Sequence, residues 1–266
     1  MKSRLGRQEM QFLAYAQLRR LRTIRAGEMA APLRLTRAQE RELFRRLIRG
    51  RLIARVRPGL YLVPPTLPLA GSWTPNEALA LRTLLADRRG RYQVCGPGAF
   101  IRYGFDNQVP SRIAVYNNRI SGVRTIGAAQ LILIKVSDRR LGDTESVRTA
   151  DGPPLVYSSR ARTLLDAVYD GIRFGTFPRA FRWIRAEISA GRVSPSELVR
   201  VTLRYGDVGT IRRIGAFLSR EGIKAAPLKR LERSLKTSKG LIPWNPLRPK
   251  RGKGDRRWGV VWNDEA

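Results

Sequence analysis

Between Thr36 and Pro65 the chain reads TRAQERELFRRLIRGRLIARVRPGLYLVPP, and no other run narrows the possible folds as far. Leu43, Phe44, Leu47 and Ile48 recur at helical spacing, while Arg37, Gln39, Arg41, Arg45 and Arg49 fall on the other faces of the same amphipathic helix. Thr36 is placed to cap that helix by accepting the Gln39 amide, Glu40 adds negative charge to the first turn, and Gly50 stops it. Alternation from Leu52 to Val56, a turn at Arg57-Pro58-Gly59 and a β-rich run from Leu60 to Val63 predict a short hairpin that Pro64-Pro65 ends. A helix followed at once by a hairpin is the second half of a winged helix.

The preceding residues supply the first half. An apolar stripe through Leu5, Phe12, Leu13 and Ala16 predicts a helix over 3–22, and a second short helix is expected over 24–30, limited by Pro32. Three helices and a wing make a winged helix-turn-helix domain of residues 1–65.

Charge says what such a module would touch. Residues 1–65 carry sixteen Lys and Arg against four acids, whereas a helix built for solubility would mix signs into i,i+4 pairs. The whole chain bears a formal charge of +31, which solubility does not require and a polyanion explains. Double-stranded DNA is the partner this pattern suits. Thr36, Arg37, Gln39 and Arg41 are the candidates for the major groove, with Arg45, also read as DNA-binding, and Arg46 or Arg49 as replacements if the register differs. Arg51, Arg55 and Arg57 on the wing are the candidates for phosphate or minor groove.

Other classes are narrowed by what is missing. There is no histidine, which removes Ser-His-Asp, Cys-His and HExxH chemistry. The single cysteine, Cys95, has no partner for an intramolecular disulfide and reads as a small buried residue near a strand. No eighteen-residue apolar run appears and the basic N-terminus lacks a signal-peptide core, so the chain is expected to be cytoplasmic, with no membrane span. A polymerase-β-type nucleotidyltransferase would need a Gly-Ser pair closely followed by two carboxylates. Gly71-Ser72 and Asp143-Thr144-Glu145 are too far apart, and the acids are expected in a loop. The Glu-x-Lys of a restriction-type nuclease is absent, and Gly96-Pro97-Gly98 is not a phosphate loop. No catalytic residue, metal or cofactor is assigned, and the chain is read as a non-enzyme.

Pro64-Pro65-Thr66-Leu67-Pro68 reads as a semi-rigid linker, and residues 66–266 as a second domain. Helices are expected over 76–87, 99–103 and 159–169, and strands over 92–95, 112–116, 123–126, 129–136 and 155–157, several of them antiparallel. The last third is read as helical over 178–190, 194–205 and 208–221, and closes on a strand at 258–262. The fold class is therefore α+β: a winged helix-turn-helix domain, then a mixed α/β domain with a helical last third.

With these pieces placed, three segments resemble the AbiEi family of antitoxins, the transcriptional regulators of type IV toxin-antitoxin and phage-abortive systems. They are the wing RVRPGLYLV, the helix SSRARTLLDAVYD at Ser158 to Asp170, and RRIGAFLSREG at Arg212 to Gly222 with the terminal RWGVVWN. Pro58 departs from the family's wing core. The resemblance implies a winged helix that binds operator inverted repeats and represses its own operon. It also implies a C-terminal antitoxin domain that counteracts a nucleotidyltransferase-like toxin without forming a stable complex. The alternatives are an RNA-binding protein or an orphan regulator with no cognate toxin.

In the C-terminal region, Arg162 and Asp166 stand at i,i+4 and are read as an organising ion pair. Arg212 and Arg213 have no obvious acidic partner and are candidates, with Lys250, Arg251 and Lys253, for a nucleic-acid or antitoxin surface. Trp244, Trp258 and Trp262 either fix a terminal strand to the core or stack on unpaired bases.

Overall fold

The computed structural model describes residues 5–66, 72–149, 152–235 and 240–263. The N-terminal part contains α1 (Arg7–Leu18), β1 (Thr23–Arg25), α2 (Arg37–Arg49), β2 (Ala54–Arg57) and β3 (Leu60–Leu62). The three strands form an antiparallel sheet in the order β1-β3-β2. Phe12, Leu13, Leu43, Phe44 and Leu47 of the two helices share one core with Ile24, Met29 and Ile53.

The second short helix expected over 24–30 is not formed. Ile24 is instead the middle of β1, paired with Tyr61, and residues 26–34 are a series of turns. Gly27 adopts a φ of +95°, open to glycine at little cost, and the Glu40 carboxylate accepts the N–H groups of Gly27 and Met29. A buried acid therefore satisfies backbone donors that a helix would have bonded internally. Helix α1 also ends earlier than expected, because Arg20 takes a left-handed φ of 52°.

α3 (Glu77–Asp87) follows, capped by the Asn76 side chain accepting from Leu79 N–H. It lies between the N-terminal sheet and a larger one, and one core joins Val56, Leu60 and Leu62 to Leu81, Leu84, Val115 and Leu131. The outer face of the small sheet is thus covered. The linker expected at 64–68 lies partly outside the described residues, as does Gly71 of the Gly-Ser pair.

The larger sheet contains β4 (Tyr92–Val94), β5 (Ile113–Asn117), β6 (Gly122–Ile126), β7 (Ala129–Lys135), β8 (Thr144–Thr149) and β9 (Gly152–Ser158), with α4 (Pro97–Arg102) between the first two strands. Its order is β6-β7-β5-β4-β9-β8. The hairpins and β4-β5 are antiparallel, whereas β5-β7 and β4-β9 are parallel. Asp143 stands just before β8 and Glu145 lies on it, so the acidic pair read as a loop belongs in part to an edge strand.

Beyond the sheet come α5 (Arg160–Tyr169), the short α6 (Gly171–Phe174), α7 (Arg179–Ser189), α8 (Pro195–Tyr205), α9 (Val208–Arg220) and α10 (Ala225–Ser234). Ser159, Ser194 and Asp207 cap α5, α8 and α9 through their side chains. A small sheet of β10 (Ile242–Pro243), β11 (Lys253–Asp255) and β12 (Val260–Trp262), ordered β10-β12-β11, closes this helical core, with Trp244 and Trp258 buried inside it. Among the described residues, no helix is long and apolar enough to cross a membrane.

Candidate nucleic-acid interface

Helix α2 is held by a reciprocal cap. Thr36 Oγ1 accepts the Gln39 N–H at 3.2 Å, and Gln39 Oε1 accepts the Thr36 N–H at 2.8 Å. Glu40, Leu43, Phe44 and Leu47 face inward, and Phe44 contacts Phe12 and Tyr61 with ring centroids 5.7 and 4.7 Å apart. That anchoring sets the helix rotation. Ala38, Arg41, Arg45 and Arg49 share the outward row at spacings of three and four and are exposed. Arg37 flanks the row beside the Gly27 turn, where a Cβ added to Gly27 would come within 3.0 Å of its guanidinium. Arg45 pairs with Glu42 at 3.0 Å on the open surface, and Arg46 turns aside to Glu9 at 3.4 Å and Gln8 at 3.0 Å.

Of the residues expected at a groove, Thr36, Arg37, Gln39, Arg41 and Arg45 are exposed on α2 or at its start. The cap occupies the Thr36 hydroxyl and the Gln39 carbonyl, so the arginines are the better-placed groups. Arg51 and Arg55 are exposed on one edge of the small sheet, beside a cleft of about 410 Å³ shared with Trp73 and Thr125. Arg51, with a φ of 53°, takes the left-handed position that ends α2.

Arg57 does not join them. Its Nε and Nη2 donate to the two Asp87 carboxylate oxygens at 2.6 and 2.8 Å, and Nη1 donates to the Pro58 carbonyl at 2.7 Å. Arg25 reaches the same carboxylate at 3.2 Å. Hydrogen bonding from Arg57, with help from Arg25, holds the Asp87 carboxyl below its ordinary value. This guanidinium is committed to fastening the hairpin onto α3.

Two further candidates are also corrected. Arg212 is buried, and its Nη1 donates to the Gly240 carbonyl at 3.0 Å. Arg213 donates to the carbonyls of Pro243 and Trp244 at 3.0 to 3.3 Å, and burial lowers its pKa. Their partners are backbone carbonyls some thirty residues away in the chain, which no search for acids could find. Lys250, Arg251 and Lys253 are exposed as expected.

The structural reading of Arg162 and Asp166 is matched by the geometry. Arg162 Nε lies 2.9 Å from Asp166 Oδ1, both side chains are fully buried, and Arg140 Nη2 approaches the same oxygen at 3.0 Å. Cys95 is buried, and burial pushes its thiol well above the ordinary value. Asp143 pairs with Arg200 and Glu145 with Arg102. Among the described residues, no group of three or more Cys, Asp or Glu side chains is gathered to hold a metal ion.

The architecture defines an α+β protein in which a small helix-and-sheet module is packed through one helix onto a mixed sheet with a helical cap. It is similar to the solved structure of the RV2827C protein from Mycobacterium tuberculosis, with a TM-score of 0.59 over 97% of this chain and 92% of that one. The two share 14% of their residues, so the similarity is one of fold. No family model matches the chain, and no curated protein does.

Proposed function

We propose that the chain is a DNA-binding antitoxin of the type IV class that represses its own operon and works in the cytoplasm. In this reading residues 1–65 form a winged helix whose α2 enters the major groove of operator inverted repeats. Residues 66–266 counteract a nucleotidyltransferase-like toxin. The observation that carries the DNA half is the outward row of α2, where a small Ala38 near the helix start is followed by Arg41, Arg45 and Arg49. A small residue lets the start of the helix approach a groove closely, and the arginines that follow it along the row reach guanine edges and phosphates. Arg51 and Arg55 add cations beside the same helix. The antitoxin half rests on the three segments that resemble the AbiEi family.

The test is a titration of the full chain against duplex DNA from upstream of its own gene and against a shuffled duplex, at low and moderate salt. A loss of ~10³ to 10⁵ in affinity between about 50 and 200 mM salt would report roughly six to ten phosphate contacts. The reading expects its own upstream DNA to bind about 10³-fold more tightly at the higher salt. Equal binding of both duplexes would refute it.

A further inference from the structure

At the opposite end of the chain from α2, two adjoining clefts meet at one tryptophan. The first, of about 550 Å³, is lined by Arg220, Lys253, Arg256 and Trp262. The second, of about 250 Å³, is lined by Arg182, Arg185, Trp244 and again Arg220 and Trp262. The Arg220 guanidinium lies 4.9 Å from the Trp262 ring centroid, and Trp262 packs on Trp244 at 4.4 Å. Trp244 and Trp258 are buried in the core, whereas Trp262 stays partly open.

The charge around this ring is of nearly one sign. Residues 240–263 carry six Lys and Arg against one acid, Asp255, which accepts the Trp258 N–H at 3.2 Å. The other acid at the clefts, Glu221, is held by Arg185 at 2.7 Å. Lys253 and Arg256 are exposed on the rim.

We propose that these clefts form a second nucleic-acid site, specific for single strands, in which a base stacks on Trp262 while Lys253, Arg256 and Arg220 hold the flanking phosphates. Duplex DNA stacks its bases on one another and offers no free face to a ring recessed between α9 and β12. A single strand offers both a base face and a flexible backbone, and aromatic stacking within a basic groove is how such strands are held without sequence preference. The site is independent of the duplex reading of α2, since no residue is shared.

The experiment uses the full chain and fluorescence anisotropy at about 150 mM salt, close to physiological screening. The probes are a labelled ten-nucleotide oligouridylate, the matching oligothymidylate, an abasic strand of equal length and a duplex. Both base-bearing strands are expected to bind at least tenfold more tightly than the abasic strand. K253E/R256E should weaken them more than tenfold and leave duplex affinity within twofold, whereas R41E/R45E should do the reverse. W262F should retain most of the binding and W262L lose it, with far-ultraviolet circular dichroism confirming that both fold. A preference for uridylate or thymidylate supports the site either way and names the strand. Equal binding of the abasic strand, or single-strand binding that follows R41E/R45E, would overturn it. Failure of the duplex arm alone would count against α2 and leave this site standing.

Discussion

Arg57 and Arg45 are the same residue type within one basic run, yet the structure gives them different surroundings. Arg57 is bonded through two nitrogens to Asp87, whereas Arg45, among the described residues, is paired with the exposed Glu42 alone. R45A should therefore lower the slope of log K against log salt for duplex binding by about one, while R57A should leave that slope unchanged and lower the melting temperature instead. Salt-dependent titrations and thermal melts on the two variants check this directly. The buried pair at Asp166 gives a larger effect. Removing the carboxylate by D166A leaves Arg162 and Arg140 buried without their counter-charge, and about 3–5 kcal/mol of stability should be lost in urea denaturation. That pair was legible because its members stand four residues apart on one helix. Arg212 was not: its carbonyl partner depends on how the chain returns after α10, and local spacing carries no trace of that.

Whether an element could be read from sequence depended on how much of its pattern was apolar. α2 was readable because inward Leu43, Phe44 and Leu47 contrast with outward arginines. β8, with the sequence TESVRT at a sheet edge, is mostly exposed, so no alternation marked it as a strand. α10 is hard to see in the sequence because it holds Pro227, a residue that breaks helix interiors, although here it stands in the first turn, where no backbone donor is needed. β1 was misread as a helix because three residues carry too little periodicity to decide. The closing strand, by contrast, was visible in its tryptophans, and it explains Gly215 of α9. A Cβ there would run into the ring of Trp258, in the turn that leads into β12, so G215A should push α9 away from that turn. A loss of about 1–3 kcal/mol on chemical denaturation is expected, with duplex binding by α2 unchanged in the folded fraction.

At the scale of the molecule, the fold has to contain an excess of 52 cationic side chains over 21 acidic ones. Many of the acids are used as clamps: Asp87, Glu187, Glu221 and Glu232 are each bonded to arginine, and each has its carboxyl pKa lowered in the folded state. A lowered carboxyl contributes stability that is complete above the unfolded value of roughly 4 and is lost as pH falls through the folded value. Acid also unmasks the positive self-repulsion. The melting temperature should thus be level near neutrality and fall steeply below about pH 4, and D87N should flatten part of that fall. A melting temperature that rose on acidification would contradict the clamps. The α+β class and the order of most elements were visible from sequence. That the small sheet shares a core with α3 was not, because the prolines after β3 read as a spacer and the apolar residues of β2 and β3 do not say what covers them.

With the outward row of α2 in a DNA groove, as proposed, a probe at position 38 would sit against base edges, and the chain permits that measurement. Cys95 is the single cysteine and is fully buried, so an A38C variant can be labelled at position 38 alone with a thiol-reactive photocrosslinker. S196C, exposed at the start of α8, serves as the control. Irradiated with duplex DNA from upstream of its own gene, labelled A38C should crosslink to major-groove base edges at a defined position and S196C should not. No crosslink from position 38, or equal crosslinking from both positions, would show that this face of α2 does not lie in the groove.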